Sequence, residues 1–348
     1  MATYDAIAGL PLEIESYEFE AFERPVSSGF VRHTTVVRLR GSGEEGLGED
    51  VTYEPEEHER LRSGASHDLT GASTFHDFSE LVGSLDLFPA GPPEVPARRN
   101  YRRWAFESAA LDLALRQAGK PLADALGRTP APVRFVVSRR LPKPPSVEPL
   151  RTILGVHPAT RFKLDPTSEW TEAVVAELAQ LDAVEVLDLK GAYRGTPVDQ
   201  PPDPRLYRLV AEAFPQAVLE DPDLVDPGTT EALESHHERI SWDAVIHSVS
   251  HIEGLSFPPR WLNIKPSRFG SCSALFDTYD YCSTHAIAMY GGGQFELSVG
   301  RLQIQTLASL FHADGPNDVA PLGYDGATVE PGTPASPLPS IGSTTGFR

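Results

Sequence analysis

The first fifty residues alternate apolar and polar side chains in the way that is typical of β-strands. Residues 14 to 19 largely alternate, and residues 34 to 39 are mostly β-branched and are followed by Gly41 and Gly43. We predict that these two runs form a hairpin, joined through the loop around residues 27 to 30. Residues 55 to 100 are polar and rich in Glu, Gly and Pro, which favours short helices and loops.

A helical pattern follows from Tyr101 to Gly127, with apolar residues three and four apart and with Gly119-Lys120-Pro121 as the stop signal. After Pro132, short apolar runs alternate with amphipathic stretches, which is typical of parallel βαβ units. The predicted strands are 133–137, 161–164, 184–187, 217–219, 239–242, 261–264 and 287–290, and the predicted helices are 172–181, 204–214, 229–237 and 273–285. This alternation predicts an α/β fold, a modified (β/α)8 barrel of the (β/α)7β kind.

The chain is predicted to have three parts. We place an N-terminal α+β capping domain at residues 1–105, the barrel at residues 106–325 and a tail rich in Pro and Gly at residues 326–348. The tail has no periodicity, so we expect it either to wrap a surface or to be disordered.

The charge of the chain narrows the classes of function. Thirty Lys and Arg residues against 49 Asp and Glu residues give a formal net charge of −19, a field that repels phosphate backbones and argues against a nucleic-acid partner. No apolar run approaches the roughly 20 residues that span a bilayer, so we expect no membrane segment. The first residues lack the basic start and apolar stretch of a secretory signal, which makes the cytoplasm the expected location. The sequence leaves open whether the chain forms a homo-oligomer.

Charged residues fall at the ends of five successive predicted barrel strands. They are Lys163, Asp188, Glu220, Asp243 and Lys265, spaced 22 to 32 residues apart. Catalytic groups of β/α barrels lie at the C-terminal ends of the strands, so these side chains are expected to share one rim. Three converging carboxylates need a hard divalent cation to remain ionised. Mg²⁺, or alternatively Mn²⁺, is therefore the predicted metal, with Asp188, Glu220 and Asp243 as its ligands.

The two lysines are predicted to flank this metal on opposite sides. A lysine beside a divalent cation is expected to have a lowered pKa, so that it can act as a base. With a substrate carboxylate on the metal, Lys163 or Lys265 would remove a proton from the neighbouring carbon. The other lysine would return a proton to the opposite face or stabilise the enolate. The expected partner is therefore a small carboxylate substrate.

Motifs around these residues resemble those of the enolase superfamily and, within it, the muconate-lactonizing subgroup. Residues 161–163 are similar to the Lys-x-Lys of that family, residues 219–222 to its second metal-ligand segment, and residues 263–270 to the segment of its second catalytic lysine. Residues 291–301 resemble a segment of o-succinylbenzoate synthases and N-succinylamino acid racemases. The resemblance covers about residues 12 to 320 and implies a Mg²⁺-dependent enzyme.

The resemblance also implies residues that contact the substrate. We expect this role for Phe30 and Arg32 in a flap loop at residues 26–33, and for four residues of the barrel: Arg161, Gly292, Gln294 and Glu296. Two positions depart from the family pattern. Arginine stands at position 161, and Lys190 follows the first ligand where the family has Asp-x-Asn. For Lys190 we favour a structural role, such as an ion pair with a neighbouring carboxylate, over a catalytic one.

The fate of the enolate decides which reaction the enzyme catalyses. We favour loss of a β-hydroxyl, as in o-succinylbenzoate synthases, because of residues 291–301. Reprotonation on the other face would give a racemase or epimerase of N-acylated amino acids, and reversal onto a ring oxygen would give a cycloisomerase. A non-catalytic carboxylate-binding protein is the alternative from another class, motivated by positions 161 and 190 and by the unusual surroundings of Asp243.

Overall fold

An antiparallel sheet with flanking helices forms the N-terminal part of the protein. The computed structural model describes residues 2–26, 29–64, 67–196, 199–326 and 328–348. The N-terminal elements are α1 (Asp5–Ala8), β1 (Pro11–Ile14), β2 (Ser16–Pro25), β3 (Val31–Gly41), β4 (Glu44–Asp50), α2 (Pro55–Ser63), β5 (Gly71–Thr74) and α3 (Phe75–Ser84). The predicted hairpin is β2 paired with β3, and β4 adds a third strand on the other side of β3.

A long helix joins this sheet to the rest of the chain. It is α4 (Arg98–Gln117), and it is followed by the short helix α5 (Leu122–Leu126), so the stop predicted at residues 119–121 separates two helices. The break lies at Gly119, which has a φ of 64°. Helix α4 packs so closely on β4 that a Cβ on Gly48 would overlap the backbone at Ala105, and the glycine makes this approach possible.

Seven parallel strands form one curled sheet in which neighbours along the chain are hydrogen-bonded. The strands are β6 (Val136–Arg139), β7 (Arg161–Leu164), β8 (Val184–Asp188), β9 (Val218–Glu220), β10 (Ile240–Trp242), β11 (Trp261–Ile264) and β12 (Ala288–Gly291). The helices of this part are α6 (Glu148–Val156), α7 (Glu172–Gln180), α8 (Pro204–Ala213), α9 (Pro227–Leu233), α10 (Val249–Glu253), α11 (Pro266–Phe269), α12 (Cys272–Thr284) and α13 (Val299–Phe311). The predicted modified barrel with an N-terminal cap is confirmed.

A short segment at residues 317–318 takes the eighth position of the barrel. The Val136 N–H donates to the Asn317 carbonyl at 2.8 Å, and the Asp318 N–H donates to the Gly291 carbonyl at 2.7 Å. Both bridges are parallel, so the segment links the first strand to the last. This is the arrangement expected of a (β/α)7β barrel.

The C-terminal residues pack against the body of the protein. Leu338 pairs with Val133 in an antiparallel bridge, and the fully buried ring of Phe347 lies edge-on to Trp104 at 6.2 Å between ring centroids. The described part of the tail therefore wraps a surface. In the described residues, no helix has both the length and the apolar character that crossing a membrane requires.

Candidate active site

The five charged residues predicted at the barrel rim all lie at the C-terminal ends of their strands. Lys163 is the penultimate residue of β7, Asp188 and Glu220 are the last residues of β8 and β9, and Asp243 and Lys265 directly follow β10 and β11. The three carboxylates are completely buried, and both lysines are more than nine-tenths buried. The structure therefore brings the predicted set together at one rim.

Lys163 lies between carboxylates of neighbouring strands. Its Nζ is 2.5 Å from Glu220 Oε1, 3.2 Å from Asp188 Oδ2 and 3.5 Å from Asp318 Oδ2. Burial by itself would lower the pKa of this lysine, but the carboxylates outweigh burial and hold the pKa well above its usual value. The surrounding carboxylates therefore favour the protonated form of Lys163, and the lowered pKa expected beside a bound metal stays a prediction.

Lys265 occupies the other side of the site, at Asp243. Its Nζ is 2.8 Å from Asp243 Oδ2, and the Arg268 Nε is 3.1 Å from Oδ1. The Tyr193 hydroxyl also donates to Oδ2, at 3.0 Å. Although burial opposes ionisation, Arg268 and Lys265 hold the pKa of Asp243 well below its usual range. The two neighbouring cations therefore favour the ionised form of Asp243.

Glu220 stands in the middle of the site. The Tyr290 hydroxyl donates to its Oε2 at 2.6 Å, and the Asn263 amide donates to the same oxygen at 3.2 Å. Burial raises the pKa of Glu220 to about 8 despite Lys163, and the charges of Asp188 and Asp243 add to the increase. The three carboxylates are thus close enough to repel one another.

The side chains of Asp188, Glu220 and Asp243 are of the chemical type that binds hard divalent cations. All three candidate ligands supply carboxylate oxygens, which Mg²⁺ prefers, and Asp243 Oδ1 is buried and accepts no hydrogen bond from the described residues, its near neighbour being the Arg268 Nε of the ion pair. Across the same residues, no three acidic, His or Cys side chains are arranged for joint ligation. The Lys163 ammonium group lies between Asp188 and Glu220, and that of Lys265 contacts Asp243. Ligation of one ion by Asp188, Glu220 and Asp243 needs the ammonium groups to move, and it stays a prediction.

Phe30 and Arg32 lie where the capping sheet meets the barrel rim. The Phe30 ring is 39% exposed and packs edge-on against Phe295, with 5.9 Å between ring centroids. Arg32 is completely buried, and its guanidinium donates to the carbonyl of Gln294 at 3.2 Å and to that of Thr52 at 2.6 Å. Arg32 therefore links the cap to the loop after β12. Residues 27 and 28 of the predicted flap lie outside the described residues.

The loop after β12 is held next to Lys265. A Cβ on Gly292 would lie 2.7 Å from Lys265 Cε, so the missing side chain makes room for the lysine. Gln294 accepts a hydrogen bond from the Tyr53 hydroxyl at 2.9 Å. Glu296 Oε1 accepts from the Gln294 N–H at 2.8 Å, and its Oε2 is buried with no partner in the described part of the chain.

Arg161 is the one predicted site residue that the structure does not bring to the rim. It begins β7, two residues before Lys163, which is roughly 7 Å farther down the strand. Its side chain is 38% exposed, with Nε 3.7 Å from Glu185. A role for Arg161 in substrate binding stays a prediction that this position does not support.

Five residues in contact with the predicted ligands and lysines were not predicted as site residues from the sequence: Tyr193, Asn263, Arg268, Tyr290 and Asp318. Asn263 carried a signal, because it lies two residues before Lys265 and therefore on the same side of its strand. Tyr193 comes from a loop and Asp318 from the two-residue segment at the eighth barrel position, and neither lies in a stretch long enough for periodicity to show which side chains turn inward.

Most of this chain matches known protein families, and part of it matches a known enzyme. Residues 5–125 match the family described as domain of unknown function (DUF8230) N-terminal domain, and residues 129–326 match its C-terminal domain. An o-succinylbenzoate synthase from Bacillus subtilis (strain 168) is 28% identical over 255 residues, which are 69% of this chain and 65% of the relative. The chain thus matches less than two thirds of that relative's length.

Solved structures of enolase-superfamily enzymes share the fold. Muconate lactonizing enzyme from Pseudomonas putida superposes with a TM-score of 0.68 at 17% identity, covering 96% of each chain. Dipeptide epimerase from Methylococcus capsulatus, in complex with a Mg ion, gives a TM-score of 0.66 at 19% identity over 87% of this chain and 88% of the epimerase. The chain therefore belongs to the DUF8230 family, and its fold is that of the enolase superfamily.

Proposed function

We propose that this protein is an enzyme that uses Mg²⁺ to remove a proton from the carbon next to a substrate carboxylate, and that the reaction ends in loss of water. The observation that carries the proposal is the position of two buried lysines, Lys163 and Lys265, on opposite sides of three buried carboxylates. Loss of water is favoured by the similarity to an o-succinylbenzoate synthase and by residues 291–301. The proposed substrate is a small carboxylate with a hydroxyl on the β-carbon.

Each residue of the site has a defined task in this proposal. Asp188, Glu220 and Asp243 would hold the ion, which when bound would neutralise the substrate carboxylate and stabilise the charge that develops during proton removal. The neutral Nζ of one lysine accepts the proton, and the electron pair of the C–H bond moves toward the carboxylate. The bond to the β-hydroxyl then breaks, and the hydroxyl leaves with that proton as water. The second lysine stays charged and stabilises the intermediate from the opposite face.

The capping domain would complete the site. We place its flap, with Phe30 and Arg32, over the barrel mouth, where it excludes water and contacts the distal part of the substrate. The contacts of Arg32 with the loop after β12 support this placement, since they hold the cap against the rim. Gln294 and Glu296 of that loop would face the same end of the substrate.

Hydrogen exchange tests proton removal independently of the final product. The protein is incubated in D₂O with MgCl₂ and a panel of β-hydroxy acids and N-succinyl amino acids, and deuterium at the α-carbon is followed by NMR. We expect exchange that EDTA abolishes and that Lys163→Ala and Lys265→Ala each remove. The matched control is Lys120→Ala, which truncates an exposed lysine between α4 and α5 and should leave exchange unchanged.

The product distinguishes the possible reactions. Release of water from the hydroxy-acid precursor of o-succinylbenzoate supports the dehydratase, whereas exchange with inversion of an N-succinyl amino acid would make the protein a racemase. Measurable binding of the same acids by calorimetry, without exchange in any of them, would overturn the proposed activity in favour of a non-catalytic carboxylate-binding protein.

A further inference from the structure

A third lysine, Lys190, lies at the carboxylate cluster. The chain contains 30 basic residues, of which five are lysines, and three of those five, Lys163, Lys190 and Lys265, are at the rim. The Lys190 ammonium group contacts the Asp188 carboxylate. Only 15% of its side chain is exposed. Lys190 therefore contributes a buried positive charge next to one of the three proposed metal ligands.

The backbone fixes the direction of this side chain. Lys190 has a φ of 56°, a left-handed conformation that residues other than glycine adopt only when their surroundings impose it. Its N–H donates to Asp188 Oδ1 at 3.3 Å, and the next N–H, that of Gly191, donates to the Asp221 carbonyl at 2.7 Å. A side chain at Gly191 would overlap the backbone of Asp223. The turn is thus held on both sides, and it aims Lys190 back into the barrel mouth.

Asp165 is the second partner of Lys190. It directly follows β7, and its Oδ1 is 3.6 Å from the Lys190 Nζ. That oxygen is buried and accepts no hydrogen bond within the described residues. Arg140, which is one-third exposed, lies 3.5 Å from the other oxygen. Lys190 therefore bridges carboxylates that follow or end two neighbouring strands.

We propose that Lys190 is a positioning residue that orients Asp188 and makes divalent-cation binding weaker than the three carboxylates alone would allow. The inference rests on the metal site of the proposed function. An ammonium group in contact with a ligand oxygen competes for its lone pairs and repels a cation bound to the same carboxylate. Asp165 opposes this competition, because it draws the ammonium group away from Asp188.

Cation affinity tests this role without any need for a substrate. Calorimetric titration of the full-length protein with MgCl₂ and MnCl₂ is compared for the wild type, Lys190→Met and Lys190→Arg. We expect Lys190→Met to bind both ions about tenfold more tightly or better, and Lys190→Arg, which keeps the charge, to stay near the wild type. Asp165→Asn should shift affinity in the opposite direction, because Lys190 then has Asp188 as its remaining carboxylate partner.

Matched variants separate this role from a structural one. Lys120→Met removes one exposed positive charge and should leave affinity unchanged, and Lys190→Gln provides a second neutral variant if Lys190→Met does not fold. A lysine with a purely structural role would lower the melting temperature when replaced and would not tighten cation binding. Unchanged or weaker affinity in a folded neutral variant overturns the role of Lys190 alone. If neither the wild type nor the folded neutral variant binds either ion, the proposed metal site is wrong and this inference with it.

Discussion

Glu49 of the capping sheet binds the start of a barrel helix and shows how the two parts of the protein are joined. Its carboxylate is 1% exposed and accepts the N–H groups of Leu297 at 2.7 Å, Ser298 at 3.1 Å and Gly300 at 2.8 Å. These groups lie at the N-terminus of α13, where backbone donors have no partner inside the helix and a negative charge is favoured. We therefore predict that Glu49 contributes strongly to stability.

The size of the effect follows from the contacts that a conservative change removes. Glu49→Gln keeps the shape but replaces one acceptor oxygen with an amide group that faces backbone donors. Loss of a hydrogen bond to a charged group weakens stability by about 1.5–3 kcal/mol, and loss of the charge at the helix terminus adds up to about 1 kcal/mol. Burial raises the pKa of Glu49, so part of this loss is offset by the easier burial of a neutral group. We expect a net decrease of about 2–3 kcal/mol in the free energy of unfolding.

Urea unfolding followed by tryptophan fluorescence measures the free energy of unfolding, since Trp104 reports on α4 and Trp242 on the barrel. The control is Glu23→Gln, which changes the same chemical group in the capping sheet where the side chain is 74% exposed, and it should alter stability by less than about 0.5 kcal/mol. If Glu49→Gln is as mild as this control, the buried carboxylate does not hold the helix, and the account of the junction is wrong.

Three further predictions concern single residues. Burial lowers the pKa of His312 to about 4, against about 6.5 in the unfolded chain. As the pH falls, the unfolded chain therefore binds the proton first, and the free energy of unfolding should fall by roughly 3 kcal/mol between pH 6.5 and 4. His312→Gln should reduce that fall, as measured by urea unfolding at several pH values. Gly292→Ala places a Cβ against Lys265 and should slow α-carbon exchange by about tenfold or more with little change in melting temperature; exchange within twofold of the wild type contradicts this. Tyr290→Phe removes the donor to Glu220 and should lower the unfolding free energy in urea by about 1–2 kcal/mol, whereas an unchanged value would show that the bond contributes nothing.

The barrel strands could be predicted from the sequence because each is a local apolar run that needs no distant partner to be recognised. Apolar runs such as residues 261–264 are followed directly by a charged residue, and the structure ends β11 at Ile264, next to Lys265. The same logic located all five rim residues, since position at a strand end is a local property of the chain. Helix bounds agreed within a few residues, except that the helix predicted to reach His237 ends at Leu233 and continues as a 3₁₀ turn.

Elements that depend on distant partners could not be predicted in this way. Strand β4 lies in the segment predicted to form strands, but its sequence Glu-Glu-Gly-Leu-Gly-Glu-Asp does not show that its last two residues are buried, where Glu49 binds α13 and Asp50 pairs with Arg102 at 2.9 Å. The first barrel strand was placed at residues 133–137, but Val133 pairs instead with Leu338 of the tail. Neither contact leaves a pattern in the local sequence.

In this chain we assign the proposed proton transfer to lysine and fixed structural contacts to arginine. Arginine supplies 25 of the 30 basic side chains, and it stays protonated at any accessible pH, so it serves well for fixed links such as Arg32. Lysine can lose its proton, and a base for proton removal must do so. Lys163→Arg therefore keeps a positive charge beside Asp188 and Glu220 but removes one of the two lysines that can act as the base. We expect this variant to fold with a melting temperature near that of the wild type and to lose α-carbon exchange, whereas retained exchange would show that Lys163 acts only through its charge.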